Sequence, residues 1–114
     1  MQPEGTPYFK GGLKAIEQVC NKLTVPVIVK ETGCGFSVAT LEKLKSIGVY
    51  AVDMSGYGGT HWGRIEGCRS KDHMYLSSAA ETFKNWGIST VQSLLNAKQV
   101  SPNYKLWASG GVRT

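Results

Sequence analysis

Lys30 and two glycine-rich loops, SGYGGT (Ser55–Thr60) and SGGVRT (Ser109–Thr114), are the groups in this sequence whose types and spacing suit chemistry. Lys30 closes the apolar run VPVIVK, and a lysine at the carboxyl end of a parallel strand is held by rigid backbone with its ammonium facing the side where α/β folds bind ligands. A point cation there can neutralise a phosphate, an enolate or the negative pyrimidine edge of a reduced flavin. The plainer alternative is an ion pair with Glu31 or Asp53. In the first loop, Gly56, Gly58 and Gly59 allow backbone N–H groups to approach an anion, while Ser55 and Thr60 offer hydroxyls to ribityl or phosphate oxygens. In the second, Gly110 and Gly111 repeat that logic beside Arg113, whose guanidinium can grip a phosphate at two points. Neither loop matches a Walker or Rossmann fingerprint, and each resembles an ordinary ligand-free turn when taken singly. Their recurrence after two apolar runs makes them reinforce one another.

The remaining chemical groups read as structural. His61 and His73 have no carboxylate or thiol at a recognised metal-ligand spacing and are expected to be polar loop residues. Trp62, Trp86 and Trp107 are too far apart for a stacking platform and are expected to pack beneath the loops. Glu4 can ligate magnesium in principle, but a single carboxylate on a turn is ordinarily solvated. Cys20, Cys34 and Cys68 are odd in number, widely spaced and without a C-x-x-C pair, the pattern of reduced thiols.

The elements that must position these groups are legible from apolar spacing. Leu13, Ile16, Val19, Cys20 and Leu23 predict a helix over 12–23 with one buried side. Val25 to Val29 form a β-branched run of the kind covered on both faces of a parallel sheet. Ser37 can cap a helix whose inner stripe is Leu41, Leu44 and Ile47, with Gly48 as its stop. Val49–Met54 predicts the next strand, and the polar stretch from there to about Lys71 reads as a functional loop. A further helix starts at Ser89, which has capping-box spacing to Gln92, with Val91, Leu94 and Leu95 expected to face inward. Leu106, Trp107 and Ala108 then predict a third strand leading into SGGVRT.

Strand and helix alternating in this way indicate βαβ units and a parallel sheet. The 114 residues fit one domain at most, and 41% hydrophobic with 18% charged residues describes a globular chain. Three strands leave two open edges, so the fold class expected is α/β, a partial (β/α)8 barrel whose closed form needs about 250 residues. The formal charge of +5 is dispersed over single lysines with no run of five, which favours a solvated exterior over a nucleic-acid surface. No apolar run approaches the roughly 20 residues of a membrane span, and the opening lacks the order of a secretory signal, so a cytoplasmic protein is expected.

Taken in order, QPEGTPYFKG, VPVIVKETGCGFS, AVDMSGYGGTHW, FKNWGIST and ASGGVRT resemble the type 2, FMN-dependent isopentenyl diphosphate isomerases, relatives of the flavin-dependent 2-hydroxy acid dehydrogenase barrels. The resemblance covers essentially the whole sequence. It implies a central piece of a (β/α)8 barrel, with the three strands corresponding to the fifth, sixth and seventh. It further implies that Lys30 lies against the flavin ring, that Ser55 and Thr60 bind FMN, and that Gly110, Gly111 and Arg113 belong to the phosphate-binding segment. The substrates implied are isopentenyl and dimethylallyl diphosphate, interconverted by protonation at one carbon and deprotonation at another, with reduced FMN as acid and base. NADPH would maintain reduction, and magnesium would bind the diphosphate. No catalytic side chain and no metal ligand is assigned within these residues.

The sequence departs from the family in extent. The family's Asn-x-x-Gln-Glu element, which binds substrate and magnesium, lies upstream of the PEG turn, and Gln2 and Glu4 are not its residues. A truncated flavin site is expected to bind FMN poorly and to be inactive alone, and exposed barrel sides are expected to drive homo-oligomerisation or pairing with a complementing fragment. Two alternatives stand beside this. A flavin-dependent 2-hydroxy acid oxidoreductase needs a histidine followed by arginine, whereas His61 precedes Trp62 and His73 precedes Met74. A nonenzymatic barrel remnant would keep the phosphate loops as an anion-binding or oligomerising scaffold.

Overall fold

The computed structural model describes residues 5–69 and 72–113. Among them the order is α1 (Gly12–Lys22), β1 (Ile28–Lys30), α2 (Val38–Lys45), β2 (Ala51–Asp53), α3 (Trp62–Arg69), α4 (Met74–Thr82), α5 (Thr90–Val100) and β3 (Lys105–Trp107). Gln2, Glu4, Lys71 and Thr114, named above, lie outside the described residues.

Two of the helices begin where the sequence places a serine. The Ser37 hydroxyl accepts the Thr40 N–H at 3.2 Å to open α2, and the Ser89 hydroxyl accepts the Gln92 N–H at 3.1 Å to open α5. Each serves a donor that has no partner within its own helix. The reciprocal half of a capping box is not formed at α5, because the Gln92 side chain donates to Asn96 Oδ1 at 3.0 Å instead. Gly48 takes a φ of 77° just past α2, a left-handed conformation that glycine adopts without a Cβ clash.

The three strands form one parallel sheet in the order β1-β2-β3. Register sets Val29, Val52 and Leu106 in one row, and Lys30, Asp53 and Trp107 in the next. Side chains alternate between faces along a strand, so these rows point opposite ways. Val29 and Val52 join the core with Leu41 and Leu44 of α2, Ala97 and Val100 of α5, and Phe36, Ile47, Val49, Met54 and Tyr104. Tyr104 ties the layers together by donating its hydroxyl to the Leu41 carbonyl at 3.1 Å. Burial, with the nearby Glu42 charge, pushes that phenol up to about 12.

The α/β class and parallel strands agree with the expectation, and several details differ. Only β2 is covered on both faces; Ile28 of β1 is 40% exposed and Trp107 of β3 is 46% exposed, because each edge strand has a neighbour on one side only. The stripe of α1 exists, yet Leu13, Val19 and Leu23 stay exposed while Ile16 and Cys20 alone reach the core. The radius of gyration is 15.6 Å, above the roughly 13 Å of a compact 100-residue domain. An open sheet with uncovered flanks accounts for that excess.

The polar stretch expected to be a loop instead contains α3, which packs against α4, just beyond that stretch, as a helical hairpin. A Cβ on Gly67 would lie 2.5 Å from Ala80 Cβ, so the helices approach closely through this pair of small residues. Nor do the tryptophans pack beneath the loops: Trp62 and Trp86 are exposed, the latter edge-on to Phe83. In α5 the inward residues are Thr90, Ser93, Ala97 and Val100, with Leu94 at the core margin and Val91 and Leu95 turned outward. Ser93 faces in because its hydroxyl accepts the Phe36 N–H at 3.0 Å, a backbone donor that burial would otherwise strand.

Candidate functional site: the carboxyl ends of the strands

Lys30 is the last residue of β1 and Asp53 the last of β2, placed opposite each other by register. Lys30 Nζ donates to Asp53 Oδ2 at 2.7 Å and to Ser109 Oγ at 2.9 Å. Ser109, two residues beyond β3, donates its hydroxyl to Asp53 Oδ1 at 2.8 Å. The three strand ends are thereby joined by a closed set of hydrogen bonds. The Ser55 N–H adds a contact to Asp53 Oδ1 at 3.3 Å, the local turn an aspartate makes with the residue two places on.

These groups differ sharply in exposure. The Asp53 side chain is 11% exposed and that of Lys30 is 54% exposed. Burial pushes the Asp53 carboxyl upward, but the hydrogen bonds from Lys30 and Ser109, the Lys30 charge and the Ser55 N–H outweigh it and hold the group below the usual carboxylate range. A buried carboxylate thus anchors an ammonium whose outer side meets solvent. The ion pair anticipated as the plainer alternative is present, with Asp53 as partner. Glu31 is engaged elsewhere, accepting the Thr32 and Cys34 N–H groups at 2.6 Å each.

The two glycine-rich loops lie directly against each other. A Cβ on Gly58 would sit 2.4 Å from the Gly110 carbonyl oxygen, and one on Gly110 would sit 2.4 Å from that of Gly56. Gly110 and Gly111 have φ of 93° and 75°, so both need the left-handed region as well as the space. The glycines are therefore used first to let loop approach loop, beyond the anion contact expected of them. Thr90 secures the arrangement: its hydroxyl lies 2.9 Å from the Ser109 carbonyl oxygen and 2.6 Å from that of Gly110, one proton shared between two acceptors.

All six residues expected at a site fall in this region. Ser55 is buried with a φ of 33°, a left-handed conformation uncommon for a side-chain-bearing residue and a mark of strain held by its surroundings. Thr60 and Arg113 are exposed, and among the described residues their side chains have no hydrogen-bond partner. The donor set consists of a fixed ammonium at the strand ends and, across the paired loops, hydroxyls and a guanidinium. It suits a ligand with an acceptor at one end and a phosphate at the other. Among the described residues no three His, Cys, Asp or Glu side chains gather to hold a metal.

Asp53, Ser109 and Thr90 were not singled out as site residues from the sequence. The available signal was a carboxylate closing a buried apolar strand, since such a charge requires a partner and Lys30 closes the preceding strand. His61 is likewise more than a polar loop residue. It accepts the Arg64 N–H on Nδ1 at 3.1 Å, so Nε2 carries the proton that reaches the Trp86 carbonyl at 3.0 Å.

The chain is similar to proteins named isopentenyl-diphosphate delta-isomerase. One from Bdellovibrio bacteriovorus is 63% identical over 99% of this chain and 33% of its own length. Another from Legionella pneumophila (strain Corby) is 55% identical over 99% and 33%, and one from Nostoc sp. is 42% identical over 99% and 32%. The chain spans about a third of the length of the curated relatives it matches. No family model matches it. Among the described residues no helix is long and apolar enough to cross a membrane.

Proposed function

We propose that this chain forms the central part of a type 2, FMN-dependent isopentenyl diphosphate isomerase barrel, contributing one wall of its flavin site. The observation that carries this reading is the convergence of Lys30, the Ser55–Thr60 loop and the Ser109–Arg113 loop on the carboxyl ends of three adjacent parallel strands. Similarity to isomerases over 99% of the chain supports the reaction assigned. The exposed edge strands, with β1 and β3 each paired on one side, support a sheet that continues into a barrel.

In this reading the Lys30 ammonium faces the pyrimidine edge of FMN and stabilises negative charge there. Ser55 and Thr60 bind ribityl or phosphate oxygens, and Gly110, Gly111 and Arg113 receive the phosphate. FMN, when bound in reduced form, supplies the acid and base that move the double bond between isopentenyl and dimethylallyl diphosphate. NADPH keeps it reduced, and magnesium binds the diphosphate through parts of the barrel other than these residues. The protein works in the cytoplasm. By itself the chain is inactive and binds FMN weakly, because its loops must be ordered without the contacts of the opposite wall. Its uncovered flanks associate with a complementing barrel segment or with a second copy.

The test is complementation. The purified chain is titrated with FMN alone and again with a polypeptide supplying the relatives' remaining two-thirds, following flavin fluorescence and dimethylallyl diphosphate formation with NADPH and magnesium. Stoichiometric flavin and isomerisation are expected only in the complemented sample. A complemented barrel that binds FMN yet leaves isopentenyl diphosphate unchanged would falsify the isomerase reading.

A further inference from the structure

We propose that Asp53 and Ser109 are positioning residues that fix the Lys30 ammonium at the strand ends with one N–H left for a ligand. An ammonium has three donors, and two are committed here, to Asp53 Oδ2 at 2.7 Å and Ser109 Oγ at 2.9 Å. Among the described residues the third has no partner. A lysine on a flexible four-carbon stem ordinarily samples many rotamers, so two fixed acceptors, one ending β2 and one just past β3, restrict where its charge sits.

The supports are themselves held. Asp53 is buried, ends the central strand and receives three donors, from Lys30, Ser109 and the Ser55 backbone. Ser109 takes part in both halves of the site: its hydroxyl bridges Lys30 and Asp53, while its carbonyl accepts the Thr90 hydroxyl that also reaches Gly110. The glycine loop and the ammonium therefore share one anchor. An acceptor atom on a ligand meets a single directed N–H, in place of a mobile charge. The assignment of that acceptor to a flavin rests on the function proposed above; the positioning of Lys30 does not.

Competitive acetylation of the 114-residue chain, read by mass spectrometry at each lysine, tests this without any ligand. Lys30 should label about tenfold more slowly than Lys14 on the exposed face of α1, since acetylation requires its nitrogen to give up the bonds to Asp53 and Ser109. Asp53→Asn should raise labelling of Lys30 about tenfold, and Ser109→Ala about fivefold. Lys45, whose ammonium donates to the Val100 carbonyl at 3.0 Å across α2 and α5, serves as the control for folding and should not change. Lys30 labelling as fast as Lys14 in the unaltered chain overturns the proposal, as does Asp53→Asn leaving Lys30 unchanged. If Asp53→Asn unfolds the chain and releases Lys45 too, Ser109→Ala decides: a rise confined to Lys30 supports positioning, and no rise overturns it. FMN binding is scored separately in the complemented barrel, so its absence there counts against the flavin reading and leaves the labelling result standing.

Discussion

From Ala51 to Gly56 every residue is buried, whereas α3 and α4 contain no buried residue at all. The strand end is held by long-range contacts: Asp53 bonds to residues 23 and 56 positions away, and Met54 donates its N–H to the Trp107 carbonyl at 3.0 Å. The hairpin is held by shorter loops of chain and by its own surface. Arg64 donates to the Lys84 carbonyl and to Asn85 Oδ1, both at 2.9 Å, while Glu66 pairs with Arg69 along α3 and Glu81 pairs with Lys84 just past the end of α4. Exposed pairs of this sort contribute little, so the hairpin should open locally while the strand ends open only with the whole molecule. Chemistry that needs a charge fixed to a fraction of an ångström belongs on the first kind of scaffold.

Substitutions at matched apolar positions give the largest separation. Leu41→Ala removes a fully buried side chain from the core beneath β2 and should cost about 2–5 kcal/mol in urea denaturation. Ile65→Ala, at a position 37% exposed on α3, should cost no more than about 1 kcal/mol. Equal losses would show that the hairpin belongs to the same cooperative unit as the sheet.

Within the strand-end loops a smaller contrast is expected. Gly110→Ala forces a Cβ to within 2.4 Å of the Gly56 carbonyl oxygen at a φ of 93°, and should destabilise by about 1–3 kcal/mol. Gly59→Ala meets nothing nearer than 4.0 Å and should fall within about 0.5 kcal/mol of the parent. A neutral Gly110→Ala would break the claim that loop–loop contact, more than backbone freedom alone, selects glycine there.

The smallest effect is acid loosening of the node. The Asp53 carboxyl titrates below its usual range in the folded chain, so its contribution is complete above the unfolded value near pH 4 and is lost as pH falls further. The amide resonances of Ser55 and Ser109 should shift together on acidification, ahead of global unfolding. In Asp53→Asn that early step should vanish.

Much of the sheet and its covering helices could be read from residue type. Ser37 and Ser89 both cap as their spacing indicates, and Leu41, Leu44 and Ile47 are all buried, because caps and apolar stripes are local properties of a short segment. The hairpin could not be read. Gly63 and Gly67 lower the helical preference of WGRIEGCR, and only the approach of Ala80 shows why a glycine stands at 67. The inner face of α5 misled for a related reason: Thr90 and Ser93 face inward to satisfy loop backbone, which apolar periodicity does not register.

By itself the sequence determined that strands alternate with helices, that Lys30 and two glycine-rich loops follow apolar strands, and that these loops share one character. Tertiary structure alone decided that Lys30 pairs with Asp53 and not with the adjacent Glu31, and that Ser109 closes the set. It also decided that the glycines serve the contact between the loops. The physical reason is distance along the chain. A cap or a stripe is decided within a few residues, whereas the bond between Lys30 and Ser109 joins residues 79 apart and exists only once three strands lie in register.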